Sequence, residues 1–286
     1  MPKKFEPTVV LDGLIFPEGP RWHDDKLWFA DIHAHKVYTW VPGGSPETVA
    51  DLPNWPSGIG FSEDGEMIVS SMRDGIVYKL VDGNLEVLAD LSGHGAGTGK
   101  VNTILNDLTT DGRGNTYVDI YGIDGDADNG GIALVRPDGK AEIVADGLAF
   151  PNTVVVTPDY KTLMVSETSS DVITAYDLDE DGRLSNKRLW ARIPGATPDG
   201  MCLDAEGALW VGSAFTDHFY RVKEGGEILT KIHMPGKFTL APVLGGPNGT
   251  TLYLMTCIST IPQLEQGIGD GFIESVEVDV PGAGWP

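Results

Sequence analysis

Four residues stand at matching points of a repeated pattern and could together hold a hard cation: Glu18, Asn106, Asn152 and Asp199. Each follows a short turn and opens an apolar run. The segments read FPEGPRW from Phe16, LND from Leu105, FPN from Phe150 and TPDGMCLDAEGALWV from Thr197. Ser57, in WPSGIGF, and Ala241, in LAPVLGG, occupy the two remaining aligned positions. Two carboxylates and two amide oxygens make an all-oxygen donor set, which suits Ca²⁺ first. Mg²⁺, Mn²⁺ or Zn²⁺ could fill the same cage when supplied. Without a cation, the two carboxylates would oppose each other's ionisation. The plainer reading is that Asn and Asp serve turns ahead of strands. Spacing alone leaves both readings open.

The elements that would bring these residues together are legible in the repeat. Six segments share one order: a turn residue, a small apolar strand, a tight turn such as Asp64-Gly65 or Glu206-Gly207, then a second apolar strand. The openings recur every 40 to 50 residues or so, a period that with several strands per unit marks a propeller. Gly and Pro recur too often for helices, and the apolar runs are short and β-branched. Third strands are predicted at 37–40, 76–79, 132–135, 172–176 and 219–222. Fourth strands are predicted at 47–51, 85–90, 142–146, 188–193 and 227–232. The sixth unit ends after its third strand, 273–278, while residues 7–12 read as a fourth strand without a unit of their own. The prediction is therefore an all-β chain, a six-bladed β-propeller of four-stranded blades over residues 1–286. The N-terminal strand joins the last blade and removes an open sheet edge.

In such a ring the first strand of each blade is innermost, so its opening residue faces the channel. The longest loops, 92–104, 121–131 and 259–271, all fall on that face, as binding loops commonly do. His33 and His35 follow the second strand of blade one on the same face, and His33 is a candidate pocket residue. His94, His218 and Glu167 lie at the same rim. Trp28, Trp210 and Tyr253 recur at matching second-strand positions and read as core between blades. Asp124, Asp126 and Asp128 resemble part of a calcium loop but lack the distal Glu of an EF-hand, so a solvated loop is the expectation.

Charge and composition narrow the partners. The chain has 286 residues, with 42 Asp and Glu against 20 Lys and Arg. A field of that sign repels nucleic acid and anionic membranes and favours retention of a cation. No run approaches the length of a membrane span, and no apolar stretch follows Lys3 and Lys4, so a cytoplasmic protein without leader or anchor is expected. Cys202 and Cys257 are far apart and form no ligand cluster, which reads as two reduced thiols. No heptad or exposed apolar stripe is evident, and a monomer is the expectation. No GxSxG elbow, P-loop or dinucleotide fingerprint is present.

The PEG at Pro17, the Asn-Asp pair at 106–107, the FPN at Phe150 and the PDGxCxDxEGxLWV run from Pro198 together resemble the senescence marker protein/gluconolactonase/luciferin-regenerating-enzyme-like family. That family holds regucalcin and bacterial lactone hydrolases and is similar in architecture to diisopropylfluorophosphatase. The resemblance covers essentially the whole chain. It implies a metal held by Glu18, Asn152 and Asp199, with Asn106 beside it touching its water or the substrate. It also implies that Asp199 doubles as general base and that Asp107 hydrogen-bonds substrate. Members that take sugar lactones carry an Arg two positions before the ring Asn. Here that position is Ile104, which cannot bond sugar hydroxyls and favours a less polar lactone or ester.

The expectation is a metal-dependent hydrolase of a small-molecule lactone, the cation acting as Lewis acid and Asp199 as base. A phosphotriesterase-like hydrolase on the same site, and a non-catalytic propeller that binds metal or a partner, stay open, because fold alone does not separate them.

Overall fold

The computed structural model describes residues 5–94, 103–122 and 130–284. Its strands form six antiparallel four-stranded sheets. Blade one holds Pro17–His23, Lys26–Asp31, Lys36–Trp40 and Glu47–Asp51 in that order, and blades two to five repeat the scheme from Pro56, Thr103, Pro151 and Pro198. The first strand of every blade touches the first strands of both neighbours, and the cycle closes from blade six, which begins at Phe238, back to blade one. The protein is a six-bladed β-propeller.

The close approach of inner strands explains a recurring glycine. A Cβ on Gly19 would lie 2.3 Å from the Ser57 carbonyl oxygen, and one on Gly58 would lie 2.0 Å from the Leu108 nitrogen. A Cβ on Gly200 would lie 2.2 Å from Ala241. These glycines directly follow Glu18, Ser57 and Asp199, so the PEG, PSG and PDG motifs let backbones meet around the channel. Trp210 and Tyr253 are buried between blades and Trp28 is half-buried there, as expected. Cys202 and Cys257 are free.

Closure is the one expected from the unpaired N-terminal strand. Thr8–Leu14 pairs antiparallel with Asp270–Glu277, the third strand contributed by the C-terminal end, with Thr8 opposite Ser275 and Leu11 opposite Ile273. Leu11 and Leu14 pack into the cluster that holds Leu27, Tyr253 and Ile273. Deleting residues 1–11 should remove ladder bonds worth about 1 kcal/mol each and expose that cluster. A loss of about 2 kcal/mol or more would lower the melting temperature by roughly 4 °C or more in a domain of this size. A truncated chain that melts with the full one would show that closure carries no stability.

Two features differ from the sequence reading. The bulge of the inner strand of blade six falls between Thr239 and Pro242, as that of blade five falls between Pro198 and Met201. The sixth ring position is therefore Leu240 and not Ala241, because a bulge shifts register by one residue. A short helix, Ile261–Leu264, stands in the loop after the second strand of blade six, opened by Pro262 in its first turn. Asp124, Asp126 and Asp128 lie outside the described residues. No helix among the described residues is long and apolar enough to cross a membrane.

Candidate active site

Glu18, Asn106, Asn152 and Asp199 all line one cavity of about 370 Å³ at the end of the channel. Asn106, Asn152 and Asp199 are the first unpaired residues at the inner-strand bulges of their blades, and Glu18, opposite Ala30, directly precedes the bulge of blade one, so similar backbone irregularities bring four polar side chains to one cavity. The second strands hold that backbone in place. Ser70 accepts from Gly58 N–H and donates to the Asn106 carbonyl, and Ser166 accepts from Thr153 N–H and donates to the Asp199 carbonyl at 2.7 Å. The Ser57 hydroxyl donates to Asn106 Oδ1 at 3.2 Å.

The two carboxyls are strongly perturbed. Glu18 is held well above the usual carboxylate range by burial first and then by the negative charge of Asp199 and Asp107. Asp199 is pushed up to about 8, by burial and then by Asp107, with the Asn152 amide pulling it partway back. Such a set attracts positive charge. Its donor chemistry, two carboxylates beside two side-chain amides that can each offer an oxygen, fits a divalent cation.

Behind the ring lies a cationic clasp that sequence reading missed. Arg21 is buried and ion-pairs with Asp107 at 3.1 Å while donating to the carbonyls of Pro20 and Leu108. Thr153 donates to the other Asp107 oxygen at 2.8 Å, and Leu108 N–H donates to the first. The structure thus places Asp107 among three blades, outside the cavity lining. Arg21 sits inside the quoted FPEGPRW motif, where an Arg amid apolar residues was the available signal. Asp119 occupies in blade three the position of Ser70 and Ser166. It is fully buried, and burial first, then the charge of Asp107, holds its acid well above the ordinary range, with the Asp107 backbone N–H pulling partway back.

The wall is aromatic. Phe16, Trp55, Tyr121, Phe150, Phe215 and Phe238 line the cavity together with His33. Trp55 and Phe150 have φ of 71° and 57°, a left-handed backbone that bulky residues rarely adopt. Each directly precedes the proline ahead of a ring residue, so the unusual conformation turns an aromatic side chain into the cavity. His33 stands edge-on to Phe16 and Trp55, with ring centroids 5.8 and 4.9 Å apart. Burial lowers its imidazole below the ordinary value against the pull of Asp31. Ile104 is half-buried opposite Tyr121 in the strand register and is not itself in the lining. Glu167 is a structural residue at the rim, accepting from Ala149 N–H and from Thr174.

Fold and site together define a propeller with one polar ring at the floor of an apolar cavity. The profile described as "SMP-30/Gluconolactonase/LRE-like region" matches residues 16–258, and the chain belongs to that family. It is 27% identical to a 6-deoxy-6-sulfogluconolactonase of Pseudomonas putida, over 97% of this chain and 96% of that one. It superposes with a TM-score of 0.81 on a luciferin-regenerating enzyme, at 21% identity and 97% coverage of both chains. It superposes with a TM-score of 0.77 on a calcium-binding regucalcin from Agrobacterium tumefaciens, at 19% identity and 98% coverage of both.

Proposed function

We propose that the protein is a metal-dependent hydrolase that opens a lactone. The observation that carries this reading is the pair of buried carboxyls, Glu18 and Asp199, sharing one cavity with two Asn side chains. Family membership and the lactonase named among the relatives support the same reaction class. Glu18, Asn152 and Asp199 would hold the cation, with Asn106 beside them, and Ca²⁺ is the ion their hard oxygen donors favour. A dication held there would polarise the substrate carbonyl and stabilise the negative charge developing on its oxygen.

This chain's own residues supply the rest. Asp199 takes a proton from the attacking water as general base. The Asn106 amide, oriented through Ser57, hydrogen-bonds the reacting group. The aromatic wall excludes bulk water and strengthens every charge interaction at the floor. The Arg21–Asp107–Thr153 clasp fixes the inner strands that carry Glu18, Asn106 and Asn152.

Turnover of a lactone panel by chelator-treated and Ca²⁺-replenished protein tests the proposal. Activity should vanish with chelator and return with Ca²⁺. Turnover that survives complete metal removal would sink the metal-dependent reading. Cleavage of phosphotriesters without lactones would sink the lactone reading instead.

A further inference from the structure

We propose that Asp217, His218 and His233 form a second cation site, at the outer rim of blade five, that takes a transition-metal dication such as Zn²⁺. The site lies outside the channel cavity and shares no residue with it. One ligand atom from each of the three residues lies within 4.8 Å of the others. His218 is the first residue of the third strand and His233 the last of the fourth, and the two are directly opposed in register. Asp217 stands between them: Oδ1 lies 2.9 Å from His218 Nδ1, and Oδ2 lies 3.3 Å from His233 Nε2.

The repeat shows what is unusual here. Blade four carries Asp171 where blade five carries Asp217, both left-handed, with φ of 53° and 51°. Arg192 ion-pairs with Asp171 from the fourth-strand position that His233 holds in blade five. Blade one answers the same place with a Lys36–Asp51 pair. Two blades therefore set a permanent cation beside the carboxylate. Blade five sets two imidazoles there, and among the described residues Asp217 has ion-pair geometry with no Lys or Arg. Imidazole supplies positive charge only by taking a proton or by ligating a metal.

The ring of His218 is prepared for the second. Its Nδ1 faces both the Thr216 carbonyl oxygen, at 2.5 Å, and Asp217 Oδ1. A cation seated against Nδ1 and the Asp217 carboxylate would take the place of the ring proton that these two oxygens otherwise share. The ring is also stacked on Tyr220, with centroids 5.7 Å apart, which limits its rotation. Two nitrogens and one carboxylate oxygen, open to solvent on the fourth side, suit Zn²⁺ and its neighbours better than Ca²⁺. Bonds of about 2.1 Å bring tetrahedral ligand atoms to roughly 3.4 Å from one another. Rotation of the exposed His233 side chain supplies that contraction without backbone movement.

The two sites differ in donor type, so they can be titrated apart. The full chain is first saturated with Ca²⁺ to occupy the channel ring, and Zn²⁺ is then added in a calorimeter. One further equivalent of Zn²⁺ is expected. His233→Ala and His218→Ala should each weaken it at least about tenfold, the lower end of the loss seen even for outer-shell partners, with lactone turnover unchanged. Asn152→Ala should weaken Ca²⁺ uptake and leave the Zn²⁺ site intact. Co²⁺ added in place of Zn²⁺ should give visible absorption bands that both His variants lose. The proposal is overturned if the Ca²⁺-saturated protein takes up no Zn²⁺, or if both His variants bind it as the parent does. It is also overturned if Asn152→Ala removes the Zn²⁺ equivalent, since that would place the ion in the channel.

Discussion

Asp199→Asn should lower kcat for lactone opening by at least about 100-fold, the lower end of what a general base contributes. The amide keeps an oxygen for the cation and loses the group that takes the proton. Asp199→Ala removes both and should abolish turnover. Calorimetric titration with Ca²⁺ separates the two losses, because Asp199→Asn should retain measurable affinity. Full activity in that variant would remove Asp199 from the base role. The metal-free protein offers an independent check. Asp199 holds its proton up to a pH of about 8 when folded, whereas an unfolded Asp releases it near pH 4. Stability from this group is complete below the unfolded value and is lost as pH rises through the folded one. Chelated parent protein should therefore melt at falling temperature from about pH 4 to pH 8. Asp199→Asn should show a shallower decline, and Ca²⁺ should flatten the parent curve. Parallel curves for parent and variant without metal would contradict the raised pKa.

The ring was legible because each of its members occupies the same place in a repeat, just ahead of an apolar strand. Closure was legible for a similar reason: residues 7–12 had strand composition and no sheet of their own. Leu240 was misplaced by one because a bulge changes which side chain points inward without changing the composition of the segment. The Arg21 clasp joins three blades through Asp107 and Thr153, and such long-range pairs leave no local pattern to read. The left-handed Trp55 and Phe150 were hidden for another reason, since a residue before proline ordinarily stays extended. His218 and His233 meet only through strand register, which the sequence leaves to the turn between them.

Alkyl-substituted γ- or δ-lactones should exceed gluconolactone in kcat/KM by at least about tenfold. Ile104 lies outside the lining, so this expectation rests on the cavity itself. Among the described residues, six aromatic side chains line the wall, and the polar groups beyond the ring are His33, Thr168, Ser169, the Tyr121 hydroxyl and the Trp55 indole N–H. The Thr168 hydroxyl is already committed to the Pro198 carbonyl at 2.7 Å. A sugar lactone would turn several hydroxyls towards surfaces that cannot bond them, at roughly 1 to 3 kcal/mol for each one left unpaired. An alkyl chain against the same surfaces gains about 0.8 kcal/mol per buried methylene. One stranded hydroxyl and one buried methylene together already exceed the 1.4 kcal/mol or so that corresponds to tenfold. The comparison is kcat/KM for δ-gluconolactone against alkyl lactones of matched ring size, measured with Ca²⁺ saturating. Phe150→Ser should narrow the ratio by supplying a hydroxyl and removing apolar surface. A clear preference of the parent protein for gluconolactone would refute the specificity argument, while the dependence on Ca²⁺ and Asp199 would stand or fall separately.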